Sequence, residues 1–409
     1  MIQPESNYHA VVIGAGPAGT AAATFLHRAG HRVCVLEKTR FPRFVIGESL
    51  LPRCNDLLRE VGLLQDVERQ GYLEKHGAVF LRGAESCRFE FADQHTQGAQ
   101  FTWQVPRDHF DQVLAQAAMK QGVPYFFEQT VTGVQTGPEA HVLVRGPTGA
   151  TRQVDCRFVV DASGYGRVLS RLLGLDQPSD LPVRHSLFAH VTGDHRPAGR
   201  DEGLIWIVQC EGGAWSWVIP FSNGRTSIGV VGTPEFFSNL PAPADDPAAP
   251  LRAVIGRDPN LSRRLGDAEF VFEPRSIAGY SIGIEKLYGH GFCLVGNAAE
   301  FLDPVFSSGV TLALESALLA ARVVSRELNG ETVDWAADFE APLHARIDCF
   351  RTYVNAWYAG DLSRLFFSAH PPANYRKMLC SVLAGNAWDQ SNPLVREHRR
   401  KLRQLVQMC

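Results

Sequence analysis

Apolar residues along the chain fall into short runs bounded by glycine and into longer stretches at helical spacing. Residues 9–14 read as a buried strand, 20–29 as a helix closed by Gly30, and 32–37 as the next strand, so the chain opens on a βαβ unit. Residues 78–105 hold short runs of β character. Residues 107–121 are helical in pattern, with Phe110, Val113, Leu114 and Ala117 on one face. Strand-like alternation returns over 126–160. A second β-rich block covers 184–232, with strands expected at 204–208, 215–219 and 226–231. The Pro- and Ala-rich stretch 233–250 reads as a surface loop. Residues 292–295 form a short apolar strand, 310–328 a long amphipathic helix, and 333–409 is mostly helical in pattern. No repeat appears at solenoid or propeller periods.

The uncharged stretch 10–26 is broken by Gly14, Gly16, Pro17 and Gly19 and has no basic region before it, so strand, turn and helix is expected there rather than a signal or membrane segment. A length of 409 residues suggests two or three structural units. With 45% hydrophobic and 20% charged residues, disorder, collagen and coiled coil are poor fits. Forty Lys and Arg against 43 Asp and Glu give a net charge of −3, which supplies no general attraction to nucleic acid or an anionic membrane. Nine widely spaced cysteines without a CxxC pair fit reduced thiols in a cytoplasmic protein better than a disulfide framework or a zinc site. The 14 histidines show no metal-ligand spacing, so no metal is expected.

Gly14-x-Gly16-x-x-Gly19 lies between the first strand and the first helix. Gly14 permits the tight turn, Gly16 lets the backbone approach a pyrophosphate, and Gly19 lets helix and strand pack closely. The pyrophosphate would face unpaired N–H groups at the helix start. Glu37 ends the second strand, where it can accept hydrogen bonds from ribose hydroxyls. A dinucleotide site is expected. Its elements are discontinuous: N-terminal, near 155–165 and near 290–330, with a β-rich unit between them. No second glycine-rich βαβ unit exists for a nicotinamide cofactor, so either NAD(P)H docks briefly or another protein supplies reduced flavin.

Residues 158–164, containing Asp161, and 293–299, containing Asn297, look like the late FAD-contacting segments of the flavoprotein hydroxylase superfamily. That superfamily usually has Asp where this chain has Asn297. Arg107 resembles its FAD-contacting arginine; the alternative is a solvated charge at a helix start. The resemblance implies an α/β fold. A Rossmann-like, three-layer FAD-binding domain would span 1–75, 105–180 and 285–332. A β-rich substrate domain would be inserted over 76–104 and 181–284, and a helical segment would follow at 333–409.

Four further segments are similar to those of a narrower family, the flavin-dependent halogenases. They are Gly47-Glu48-Ser49-Leu50-Leu51-Pro52; Lys75-His76-Gly77-Ala78-Val79-Phe80; Ala214-Trp215-Ser216-Trp217-Val218-Ile219-Pro220, matching GWxWxIP with Ala first; and the 301–309 stretch, which matches FxxPxxSxG. The chain is short for the tryptophan-specific branch. It has Phe306 where that branch places Glu, so the likeness is to enzymes acting on phenols and carrier-bound pyrroles.

This resemblance implies an enzyme that uses reduced FAD, O₂ and chloride or bromide to make hypohalous acid, which reaches a lysine beside an electron-rich aromatic. Lys75, Glu48 and Ser49 take the catalytic positions. Gly14, Gly16, Ala18, Gly19, Glu37, Lys38, Arg107, Asp161, Asn297, Pro304, Gly309 and Val310 are the expected FAD contacts. Ser307, Ser308 and Gly309 precede a helix and can form an N–H nest for halide or for a negative flavin oxygen, or Ser can simply cap that helix. Trp215 and Trp217 lie two apart, so both rings face one side with Ile219. They either wall the flavin from the substrate, forming the substrate pocket with Phe306, or form a core pair. Glu315 is expected in a surface salt bridge rather than at the flavin. The basic run 396–403 is a solvated face or a docking surface for an acidic carrier protein. A flavin reductase is the expected partner. A monooxygenase or alkene reductase on the same scaffold is the alternative function.

Overall fold

The computed structural model describes residues 7–137, 140–179, 181–243, 245–281, 283–369 and 375–409. Its first sheet has the strand order Tyr288–Gly289, Phe292–Leu294, Thr151–Asp161, Tyr8–Ile13, Val33–Glu37, Tyr125–Phe127. The hairpin Thr130–Gln135 and His141–Arg145 pairs with the start of the long strand Thr151–Asp161. The central strands are parallel and nearly all buried, as a sheet covered on both faces requires. Their register sets the site. Ile13 lies opposite both Leu36 and Asp161, and Asp161 lies opposite Leu294. The four strands therefore end level, and the loops that follow them meet along one edge, where open α/β sheets hold ligands.

Two helices start from that edge. Pro17–Arg28 follows its N-cap Gly16 and begins three residues earlier than the pattern suggested, because Pro17 is suited to the first helical turn. It packs against Gly309–Leu328. Ala21, Ala22 and Ala23 on the first helix, and Ala313, Ala317, Ala320 and Ala321 on the second, are buried.

A second, mostly antiparallel sheet runs Glu269–Phe270, His185–Thr192, Thr226–Gly232, Trp215–Pro220, Ile205–Gln209, Gly77–Arg82, Glu85–Glu90. Its parallel pair, Ile205–Gln209 with Gly77–Arg82, joins pieces of chain far apart in sequence. Val208, Val218, Ile228 and Val230 pack under helices Ala249–Arg257 and Pro259–Leu265, while Phe80, Ile205, Trp215, Trp217 and Ile219 face the main core. The expected loop at 233–250 is not all loop. Thr233 caps a short helix, Pro234–Ser238, by accepting the Phe236 N–H at 3.1 Å, and a second helix begins at Ala249. A Thr-Pro start is a helix signal that the Pro/Ala composition obscured.

A small third sheet, Leu73–Lys75 with Thr102–Gln104, sits beside residues 48–50. The C-terminal part folds into helices, the longest being Ala341–Tyr358, whose Phe350, Tyr353 and Trp357 enter the main core. Among the described residues no helix is long and apolar enough to cross a membrane.

Candidate active site

One long cavity follows the C-terminal edge of the parallel sheet and continues to the tryptophan strand of the second sheet. At its polar end the glycines divide the labour. Gly14 has φ +99°, and a Cβ there would meet the Ala162 carbonyl oxygen at 2.6 Å. A Cβ on Gly19 would meet the Gly14 oxygen at 2.0 Å. Gly16 is different: the nearest atom to its Cβ position is Arg43 Nη2 at 3.7 Å, so space stands open above it. The Glu37 carboxylate accepts the Ala15 N–H (2.9 Å), the Thr39 N–H (3.0 Å) and the Thr39 hydroxyl (2.8 Å) while still lining the cavity. Lys38 lines the cavity as an exposed residue.

Arg107 is a buried brace rather than a solvated charge. It pairs with Asp111 through Nε (2.8 Å) and Nη2 (3.1 Å), and Nη1 donates to the carbonyls of Ile46 and Gly47. Arg43, which the sequence did not single out, shares Asp111 at 3.1 Å, and its buried Nε makes no hydrogen bond but lies 3.9 Å from Glu37 Oε2. That guanidinium, whose Nε is free of hydrogen bonds, the open space at Gly16 and the helix N-terminus together suit a pyrophosphate, and the apolar far end suits a planar ring. The residues fit FAD. Ala18, Asn297, Pro304, Gly309 and Val310 also line the cavity.

Asp161 does not. Its buried carboxylate accepts the N–H groups of Ser163 (2.9 Å) and Leu169 (2.6 Å), so it closes the turn that presents Ala162–Gly164 to the cavity. Burial raises its pKa, and those hydrogen bonds oppose the rise.

At the far end Trp215 and Trp217 lie 5.9 Å apart between ring centroids, and both border the cavity with Ile219. Each indole N–H is occupied: Trp215 donates to the Tyr358 hydroxyl (3.0 Å) and Trp217 to Ser227 (3.1 Å). Tyr358 and Tyr280 in turn donate to Asp303 at 2.7 and 3.2 Å. This network had no sequence signal, because its members are brought together only by tertiary packing. Burial raises the Asp303 pKa against the pull of these donors. Ser307, held at φ +56°, lines the cavity. Ser308 is buried, and its hydroxyl does not accept from the first amides of Gly309–Leu328. Phe306 does not reach the cavity; it is buried with its ring 6.4 Å from Trp357.

Glu48 and Ser49 line the cavity between its two ends. Glu48 Oε1 lies 2.7 Å from His190 Nε2, both groups are buried, and Glu48 Oε2 has no partner. The rings of Phe44, Phe221 and Phe272 surround the imidazole. Nothing in the sequence pointed to His190. Lys75 is buried just outside the cavity. Its Nζ donates to the Leu50 carbonyl at 2.8 Å and lies 5.5 Å from the Phe91 ring. Burial pushes its pKa down to about 7, opposed by Cys54. Glu315 is buried rather than at the surface; it pairs with Arg53 (2.8 Å) and Arg346 (3.7 Å) and does not line the cavity. In the basic run, Arg396 and Arg400 pair with Glu397, and Arg399 with Asp348.

The family described as FAD binding domain matches residues 7–339. The chain is 29% identical over 368 residues to a 1H-pyrrole-2-carbonyl–peptidyl-carrier-protein brominase of Pseudoalteromonas luteoviolacea, covering 88% of this chain and 86% of that one. Its structure superposes on that of a flavoprotein/dehydrogenase from Cytophaga hutchinsonii with a TM-score of 0.94, 45% identity and 98% of each chain covered. It also matches a myxobacterial chondrochloren halogenase described as FAD-dependent, with a TM-score of 0.79, 31% identity, 99% of this chain and 97% of that one.

Proposed function

The chain belongs to the flavin-dependent halogenases, built on the FAD binding domain, and we propose that within this family it halogenates a phenol or a pyrrole, free or carrier-bound. The buried, carboxylate-free amine of Lys75 next to the flavin cavity is the observation that carries this reading. When bound, reduced FAD would supply two of the four electrons that O₂ takes up, and chloride or bromide, leaving as hypohalous acid, the other two.

The residues of the chain take the other tasks. Arg43, the open turn at Gly16 and the helix start hold the pyrophosphate. The amides around Ser307, Ser308 and Gly309 receive the halide. The hydrogen-bonded tryptophans bar an aromatic substrate from the flavin side. Lys75, near its midpoint at neutral pH, can donate a hydrogen bond to hypohalous acid or, as the free amine, accept the halogen. No carboxylate stands at position 306, whose Phe lies outside the cavity, and an electron-rich ring needs the least help in the electrophilic step. The carrier-bound substrate of the brominase relative supports a tethered pyrrole here. The basic helix His398–Gln407 is the face we assign to an acidic carrier.

Replacing Lys75 by Ala tests the reading. Halogenated product, read by its isotope pattern, should fall by ~10²–10⁴-fold while reduced flavin is still oxidised by O₂. Wild-type product levels in that variant would remove Lys75 from the chemistry. The dehydrogenase name of the 45% identical neighbour makes hydride transfer the rival; a reduced, halogen-free product from wild type would establish it.

A further inference from the structure

We propose that Ser49 and Gln104 form a relay site that binds one molecule of neutral hypohalous acid between the flavin cavity and Lys75. The inference rests on the halogenase reading and names residues for a step that reading leaves unassigned.

Residues 48–50 lie beside Thr102–Gln104 through an isolated bridge, and that strand itself pairs with Leu73–Lys75. Val105 N–H donates to the Glu48 carbonyl (2.7 Å), Leu50 N–H to the Trp103 carbonyl (3.2 Å), and Ser49 stands opposite Gln104 in an antiparallel bridge. Gln104 stands opposite Leu73, and Thr102 opposite Lys75. Side chains opposite one another in an antiparallel pair leave the same face, as do residues two apart on one strand. Ser49, Gln104 and Lys75 therefore share a face, and Ser49 is the member that borders the cavity.

Two polar atoms on this face are buried with no hydrogen-bond partner among the described residues: Ser49 Oγ and Gln104 Oε1. Buried polar groups are nearly always hydrogen-bonded, so two orphans on paired residues point to a missing guest. Thr102 does not share this lack, since its hydroxyl donates to Asn55. The Gln104 amide cannot turn to satisfy itself, because its Nε2 donates to the Gly203 carbonyl at 3.0 Å. Gly203 is fixed in turn: a Cβ there would meet the Glu74 carbonyl oxygen at 1.7 Å. The site thus offers a hydroxyl that can donate and an amide oxygen that only accepts. Hypohalous acid has the matching pair, an O–H to give to Gln104 and an oxygen to take the Ser49 proton. A halide ion would face the amide oxygen without any proton to offer, so the relay passes the neutral acid and leaves halide behind.

Two measurements test this. A high-resolution crystal structure of the FAD-loaded protein should show solvent hydrogen-bonded to both Ser49 Oγ and Gln104 Oε1. The second is a competition between a phenol that wild type halogenates and monochlorodimedone in bulk solution. In Ser49→Ala and Gln104→Met the ratio of halogenated phenol to halogenated scavenger should fall about fivefold to tenfold, the size expected for one lost hydrogen bond. Ser49→Thr, which keeps the hydroxyl, should restore it. Ser49→Ala decides the matter if Gln104→Met fails to fold, since Ser49 Oγ makes no hydrogen bond among the described residues. An unchanged ratio in Ser49→Ala, or Ser49 bonded directly to Gln104 with no solvent between them, overturns the relay alone. A wild type that halogenates neither compound overturns the halogenase reading and the relay with it.

Discussion

Lys75 shows what a single residue owes to its surroundings. In sequence it sits between Glu74 and His76 and resembles a solvated charge. In the fold it has a carbonyl and an aromatic ring for company instead of a carboxylate. Nothing local foretells that burial, because the pairing that buries it joins residue 75 to residue 102. The same holds for Arg43 and His190, whose partners Asp111 and Glu48 are distant in sequence. The consequence for stability has a definite sign. Burial lowers the Lys75 pKa from 10.5 to about 7, so between those values the unfolded chain holds a proton that the folded chain has lost. Raising the pH through that window therefore favours the folded state. Lys75→Met keeps the volume and removes the titration. The melting temperature of wild type, measured relative to Lys75→Met, should climb from pH 7 towards pH 10 and stay flat below pH 7. Parallel curves across the window would mean that the amine stays charged in the fold.

At the scale of elements, the strands and helices that frame the cofactor were legible. The glycine turn needs three residues without side chains at fixed spacing, and local patterns record such needs. What the pattern did not record was how each element spends its polar groups. Asp161 closes its own turn, Ser308 leaves its helix uncapped, and Thr233-Pro234 starts a helix inside a stretch whose composition suggested loop. The glycine turn also yields a clean test. Substitution at Gly14 or Gly19 would drive a Cβ into backbone and damage the fold itself. At Gly16 there is room for a side chain, and that room is where a pyrophosphate must lie. Gly16→Val should therefore fold, with a wild-type circular dichroism spectrum, yet retain less than about a tenth of the bound flavin, a loss of more than ~1.4 kcal/mol in binding. Normal flavin absorbance in the folded variant would remove the pyrophosphate from this turn.

The whole molecule commits its parallel sheet to one ligand. The level ends of the four strands, Ile13, Glu37, Asp161 and Leu294, all feed loops into the same cavity. The second sheet closes the cavity's far end with Trp215 and Trp217, and the C-terminal helices hold that end shut through Tyr358 and Asp303. That gathering of distant pieces was visible in sequence only as a discontinuity. The closure by Tyr358 was not visible at all, since helical spacing says which face is apolar but not which strand it meets. Among the described residues, the glycine-lined strand-to-helix turn at residues 14–19 serves this one cavity, so a nicotinamide dinucleotide could dock only briefly, without a comparable turn to hold it. The electrons should therefore arrive from a separate flavin reductase as reduced FAD. The pure FAD-loaded protein mixed with NADPH or NADH should show no saturable oxidation at 340 nm, and adding a flavin reductase should start both oxygen uptake and halogenation. Rapid, saturable NADPH oxidation by the protein alone would show a second nucleotide bound at productive distance, and would move the chain towards the self-sufficient monooxygenases.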